Sequence, residues 1–150
     1  MQIKSTSLFL VLILCICNIA SGQQSDSTRL VRLLKDDYAT MSTQDSSAHL
    51  RNVTSDYYLI EAGEIWNLEM ELDSIYRIKN DRSIIRTDFF TMITVKISGE
   101  MAYAVWHLRS EFKKDGKLVK ERAWNESGVF RKEAGRWKIA LVHSTPDKKK

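Results

Sequence analysis

Residues with acid–base side chains recur in the carboxy-terminal half of the chain, and four of them are candidate catalytic residues: Asp88, Tyr103, His107 and His143. A lyase or isomerase needs a group that accepts a proton and an acidic donor that stabilises the developing oxyanion. Tyr103 and His107 stand four positions apart, which places their side chains on one face of a regular strand. That spacing fits a joint catalytic site and equally a solvent-facing or interface pair.

His143 has the same strand parity as Trp137, Ile139 and Leu141. Strand alternation therefore predicts that it lies at the pocket end of an apolar face. A histidine in such a position acts either as a general base or as a hydrogen-bonded structural residue. Both interpretations stay open at the level of sequence.

Three tryptophans are candidate ligand-binding residues: Trp66, Trp106 and Trp124. A large aromatic ring offers shape and dispersion to an apolar ligand, and it fills a protein core equally well. We expect a ring of this size to border any cavity in a small domain, so the predicted ligand is a small apolar molecule.

Metal and cofactor chemistry have no support in the sequence. The histidines His49, His107 and His143 lack the spacing of metal ligands, and no glycine-rich phosphate loop occurs. Both cysteines, Cys15 and Cys17, fall in the apolar amino-terminal stretch. We therefore predict no metal, no cofactor and no internal disulfide.

The chain has 23 basic and 19 acidic residues, and its last three residues are lysines. Without those lysines and Lys4 the body is close to neutral. Nucleic-acid binding needs a basic face that neutralises phosphates. The sequence therefore predicts no nucleic-acid partner, and residues 146–150 read as a basic tail.

Residues 1–22 have the three parts of an export signal. Lys4 is the positive region, the apolar region runs from Leu8 to Cys17, and Ala20-Ser21-Gly22 resembles a cleavage site. The apolar run is much shorter than the roughly 20 residues that a membrane-spanning helix needs. We expect a secreted or periplasmic protein without a stable membrane anchor, whose single domain covers residues 23–145.

Helical spacing predicts three amphipathic helices before residue 80. The first carries Leu30, Leu33, Leu34, Tyr38 and Met41 on one face. The second begins near Asp45 or Ser46 and turns Leu50 and Val53 inward. The third follows Asn67, buries Leu68, Leu72 and Ile75, and points Glu69, Glu71 and Asp73 away. A short strand or extended segment over residues 57–60 separates the last two.

Four long β-rich runs follow: Ile84–Ile97, Met101–Phe112, Leu118–Arg131 and Trp137–Ser144. A glycine lies in each short connection, which predicts tight turns and an antiparallel meander. Helices followed by strands predict an α+β fold in which the helices pack on one face of a sheet.

On the first of these strands, alternation assigns one face to Ile85, Phe89, Ile93, Val95 and Ile97 and predicts that they form the core. Ile84, Phe90 and Met92 then share the opposite face with charged residues. A sheet that is apolar on both sides needs a second cover, such as a partner subunit.

The run 135–144, with its glycine turn, Trp137, alternating apolar residues and His143-Ser144, resembles the last strand of SnoaL-like (DUF4440-type) proteins of the nuclear-transport-factor-two-like superfamily. The segment 56–66 and the run 99–102 agree with this resemblance. The resemblance implies a cone-shaped curved antiparallel sheet packed against the amino-terminal helices, with a pocket between them and a homodimer formed through the outer sheet face.

Fold does not by itself give function. The leading expectation is an exported domain that binds a small molecule in an apolar pocket. Two alternatives stay open: a lyase or isomerase that uses a pocket acid and base, and a non-catalytic dimeric interaction module.

Overall fold

The computed structural model describes residues 26–76 and 83–148. The predicted signal peptide, residues 1–22, lies outside the described residues, as do the end of the third predicted helix and the last two lysines. Within the described ranges, no helix is long and apolar enough to cross a membrane.

Two helices open the described chain. Helix α1 includes residues 26–43 and buries Leu30, Leu34 and Tyr38, which confirms the first predicted helix. Helix α2 covers Ser46–Asn52, and the side chain of Asp45 caps it by accepting a hydrogen bond from Ala48 N. The inward residue of α2 is His49, whereas Leu50 is 45% exposed. The prediction that Leu50 faces inward was therefore wrong.

A hairpin and a short helical segment come next. Strand β1 (Val53–Glu61) turns into strand β2 (Glu64–Asn67), which leads into helix α3 (Leu68–Glu71) and a π-helical turn (Leu72–Tyr76). Val53 is buried as the first residue of β1 and not as part of a helix. Glu71 is buried as well, so the prediction that it points away from the core was wrong.

The predicted meander is confirmed and consists of β3 (Ile84–Ser98), β4 (Met101–Lys114), β5 (Lys117–Glu133) and β6 (Arg136–Pro146). Two-residue turns join β4 to β5 and β5 to β6. In the second of them, Ala134 and Gly135 both have positive φ, as a tight hairpin turn requires.

The sheet has six strands in the order β2-β1-β6-β5-β4-β3. Strand β1 pairs in parallel with β6, so the sheet is mixed, not purely antiparallel. This pairing joins segments about 80 positions apart in sequence, and no local pattern predicts it.

A bulge in β3 changes which residues face the helices. Met92 pairs with Trp106 and Thr94 with Val105, which leaves Ile93 as the extra residue. The inner face therefore carries Arg86, Asp88, Phe90 and Met92 before the bulge, and Val95 and Ile97 after it. The predicted common face was wrong, because Ile85, Phe89 and Ile93 lie exposed on the outer side.

A second irregularity lies in β6. Val129 pairs with Leu141 and Phe130 with Ile139, so Ala140 is the extra residue. Trp137 and Ile139 face inward before it, and Val142 and Ser144 after it. His143 consequently points outward and is exposed, so its predicted position on the apolar face was wrong.

The core fills the space between α1 and the inner face of the sheet. Trp106 on β4 is fully buried there, and Gly128 lies on the neighbouring strand β5. A Cβ atom on Gly128 would lie 3.1 Å from Trp106 Cη2 and 3.2 Å from the Leu141 carbonyl oxygen. A side chain at position 128 would therefore be in tight contact with the Trp106 ring and the Leu141 backbone, and glycine avoids this contact.

Candidate functional site

A cavity of about 250 Å³ lies between α1, α3 with its π-helical turn, and the inner face of the sheet. Its apolar wall includes Leu59, Ile75, Leu108, Trp124 and Val142. Its polar wall includes Asp37, Glu61, Glu71, Arg86, Glu126 and Ser144. The wall is thus more acidic than the apolar pocket that the sequence predicted.

The cavity adjoins a larger groove of about 710 Å³ at the end of α1. Met41, Ile75 and Arg86 line both spaces. The groove also carries the exposed side chains of Ile84 and Val119. Met41 therefore stands at the junction between the cavity and the groove.

Glu126 is the central polar residue of the sheet wall. Its Oε2 accepts hydrogen bonds from Tyr38 Oη at 2.9 Å and Trp106 Nε1 at 2.6 Å, and its Oε1 accepts one from Ser144 Oγ at 2.8 Å. Trp106, Glu126 and Ser144 stand directly opposite one another on β4, β5 and β6, so their side chains share the inner face.

Burial raises the pKa of the Glu126 carboxyl above its ordinary value, although the three donors act in the other direction. A carboxyl group held in a fixed orientation, and more easily protonated than usual, can bind a polar ligand group or exchange a proton with it.

A second polar cluster joins the helices. His49 Nδ1 donates to Asp37 Oδ1 at 3.0 Å, and His49 Nε2 lies 3.3 Å from Glu71 Oε2. The imidazole stacks on the ring of Tyr76 with a centroid distance of 5.0 Å. Burial lowers the pKa of His49, but the two carboxylates outweigh it and raise the pKa to about 9. The cluster therefore contains an imidazolium at neutral pH.

Arg86 is a basic residue at the edge of the cavity. Its Nε donates to Asp88 Oδ1 at 2.8 Å, and its guanidinium carbon lies 6.0 Å from the ring centroid of Trp124. Ser110 Oγ also donates to Asp88. The charge of Arg86 is therefore already matched by a carboxylate beside it.

The candidate catalytic residues lie at different places in the structure. Asp88 is on the inner face beside the cavity, bound to Arg86. Tyr103 and His107 do share one face, but it is the outer face of the sheet. His107 Nδ1 lies 3.2 Å from Asn125 Oδ1 there. With His143 also outside, the cavity is not lined by any of these four residues.

The three tryptophans have three different environments. Trp124 lines the cavity, and Trp106 lies in the core with its Nε1 on Glu126. Trp66 is on β2, where its Nε1 donates to Glu64 Oε2 at 2.9 Å.

The polar residues that line the cavity or join its walls were not among the predicted site residues: Asp37, His49, Glu61, Glu71, Arg86 and Glu126. Strand alternation could have indicated Glu126, because it lies on the same face of β5 as Gly128 and the buried Phe130. A charged residue at a core parity indicates a buried polar site. Among the described residues, no group of three or more potential ligands is arranged to hold a metal ion.

No protein-family model and no curated protein matches the sequence. Solved structures match over most of the chain. An NTF2-like protein of unknown function from Shewanella oneidensis is 22% identical, with a TM-score of 0.65 over 80% of this chain and 98% of that one. The association domain of C. elegans CaMKII is 21% identical, with a TM-score of 0.66 over 82% and 97% of the two chains.

A ketosteroid isomerase-like protein from Erwinia carotovora atroseptica is 14% identical, with a TM-score of 0.62 over 81% of this chain and 96% of that one. The chain therefore has the NTF2-like fold, an α+β fold in which amino-terminal helices pack on a curved sheet. This confirms the predicted fold class. Similarity at these identities shows the fold alone.

Proposed function

We propose that this protein binds a small molecule with a largely apolar body in the cavity between α1 and the sheet. The observation that carries the proposal is the cavity itself, which has apolar walls and a carboxyl group, that of Glu126, fixed at one point by three hydrogen bonds. Binding sites of this kind combine apolar walls with a few placed polar groups. A volume below roughly 300 Å³ favours a small ligand.

We also propose that the protein is exported and that it belongs to the SnoaL-like branch. The composition of residues 1–22 supports export, because it combines a basic start, a short apolar run and small residues at its end. The run 135–144 supports the SnoaL-like assignment.

Native mass spectrometry of the protein purified from the organism that produces it tests this function. We expect an additional small mass on the native protein. Met41→Trp should remove that mass, because the larger side chain fills the junction between groove and cavity. Met70→Trp is the matched control, since Met70 is exposed on α3 and lies outside the cavity lining. A wild-type protein that carries no ligand contradicts the proposal.

A lyase or isomerase is the second candidate function. The observation that favours it is the raised pKa of Glu126, which burial brings closer to the range of a general acid or base. Glu126→Gln should then abolish turnover of the copurified molecule, while the far-UV circular dichroism stays unchanged. Turnover at the wild-type rate in this variant excludes Glu126 as the acid or base.

We also propose that the protein forms a homodimer through the outer face of β3 and β4. Large apolar side chains are exposed there: Ile85, Phe89, Ile93, Met101 and Tyr103. A patch of this kind favours a protein partner. Ile93→Lys should give a monomer in analytical ultracentrifugation, whereas Ile65→Lys on β2 should not. Both isoleucines are 65% exposed. A difference between the two variants would therefore come from their place on the sheet and not from their exposure. A monomeric wild-type protein contradicts the dimer.

A further inference from the structure

We infer that the polar end of the ligand is a protonated amine, and that it binds between the carboxylates of Glu61 and Glu71 in the cavity. This inference rests on the proposed function and specifies its ligand class. Three observations support it: the excess of negative groups around the cavity, a buried oxygen of Glu71 without a hydrogen bond, and the position of Glu61 near Glu71.

The first observation is an excess of negative groups around the cavity. Four carboxylates line it: Asp37, Glu61, Glu71 and Glu126. Arg86 is the one basic side chain in the described lining, and it is bound by Asp88. Behind the wall, the single imidazolium of His49 is shared between Asp37 and Glu71. Among the described residues, the positive groups around the cavity are therefore fewer than the negative groups they face.

The second observation is a buried oxygen without a hydrogen bond. The side chain of Glu71 is only 4% exposed, and Tyr57 Oη donates to its Oε1 at the long distance of 3.5 Å. Its Oε2 forms an ion pair with His49 Nε2 at 3.3 Å but has no hydrogen bond within the described part of the chain. Buried polar atoms are normally hydrogen-bonded. A donor on a ligand in the cavity would satisfy this oxygen.

The third observation is the position of Glu61 at the end of β1. No ion pair or hydrogen bond of its side chain occurs among residues 26–76 and 83–148, although it lines the cavity. Burial raises the pKa of Glu61, the nearby negative charge of Glu71 raises it further, and the positive charge of Arg86 acts in the opposite direction without cancelling them. Two carboxylates that repel each other across a cavity are both stabilised by a cation between them.

The same features disfavour an anionic ligand. A carboxylate or phosphate would face the four carboxylates of the wall, and it would have to compete with Asp88 for Arg86. The aromatic rings of Tyr38, Tyr57 and Trp124, which also line the cavity, attract cations and not anions. An amine with an apolar body matches both walls.

Isothermal titration of the full-length protein with benzylamine, benzyl alcohol and benzoate at neutral pH tests the inference. The three probes share a ring and differ in the charge of the head group. We expect benzylamine to bind at least tenfold more tightly than benzyl alcohol, and benzoate to bind most weakly. If benzyl alcohol binds as tightly as benzylamine, the amine inference is overturned and the proposed cavity function stands. If benzylamine does not bind, the inference also fails, and the mass-spectrometric experiment decides the cavity function separately.

Isosteric variants locate the subsite. Glu61→Gln should lower the affinity for benzylamine at least tenfold and leave that for benzyl alcohol unchanged. Glu71→Gln should do the same, but Glu71 also contacts His49, so the half-buried Glu61 provides the deciding variant. Glu100→Gln, in the exposed β3–β4 turn, is the matched control and should change neither affinity. Unchanged benzylamine binding in Glu61→Gln overturns the assignment.

Discussion

His49 on α2 lies 3.0 Å from Asp37 on α1, measured between Nδ1 and Oδ1, and the same imidazole reaches Glu71 on α3 through its Nε2. One buried histidine thus links three helical elements. Asn52 Nδ2 donates to the same Asp37 oxygen at 3.1 Å, and the rings of Tyr57 and Tyr76 pack on the imidazole. The cluster positions two of the carboxylates that line the cavity.

The stability of the protein should depend on the protonation of His49. Its pKa is about 9 in the folded state, above the ordinary value of 6.5. A raised pKa means that its contribution is fully present below pH 6.5 and is lost as the pH rises through about 9. We expect the free energy of unfolding by urea to fall by an amount on the order of 3 kcal/mol across this window.

His49→Gln should abolish this pH dependence, because it removes the titrating group. His107→Gln, on the outer face of the sheet, is the control and should keep the wild-type profile. An equally steep profile in His49→Gln would assign the effect to another residue.

Ser144→Ala should destabilise the protein, because the buried Glu126 Oε1 loses its donor at 2.8 Å. The expected loss in free energy of unfolding is about 1–3 kcal/mol. Thr145→Ala, the exposed neighbour on the same strand, should cost less than about 0.5 kcal/mol. Equal effects of the two variants in urea denaturation would show that the Glu126 hydrogen bond does not contribute to stability.

Gly128→Ala should be destabilising by about 1–3 kcal/mol, because the new methyl group would press on the Trp106 ring and the Leu141 carbonyl oxygen. Ser127→Ala, the preceding residue on the other face of β5, serves as the comparison. Thermal unfolding followed by circular dichroism measures both. A wild-type melting temperature for Gly128→Ala would mean that the core yields without cost.

Asp88→Asn should also lower stability, since Arg86 loses its charged partner and Ser110 a strong acceptor. The expected cost is about 1.5–3 kcal/mol. Asp115→Asn lies in the β4–β5 turn at positive φ, a conformation that asparagine tolerates, and should change stability little. A structural role for Asp88 is contradicted if Asp88→Asn unfolds at the wild-type urea concentration.

The elements that depend on local signals were predictable from the chain. Helix α1 follows from the spacing of Leu30, Leu34 and Tyr38, because residues three or four apart share a helix face. The meander follows from glycines such as Gly116 and Gly135, which take positive φ in turns of two residues. These features are determined by residues close together in the sequence. They could therefore be predicted, and the fold class with them.

The candidate site depended on contacts that no local pattern contains. The single extra residues Ile93 in β3 and Ala140 in β6 move all residues after them to the opposite face of the strand. His143 lies on the outer face because it follows Ala140. Tyr38 and Glu126, which share a hydrogen bond, are 88 positions apart. Alternation along the chain shows which residues share a strand face. Only the pairing of distant strands and the packing of the helices determine which of the two faces lines the cavity.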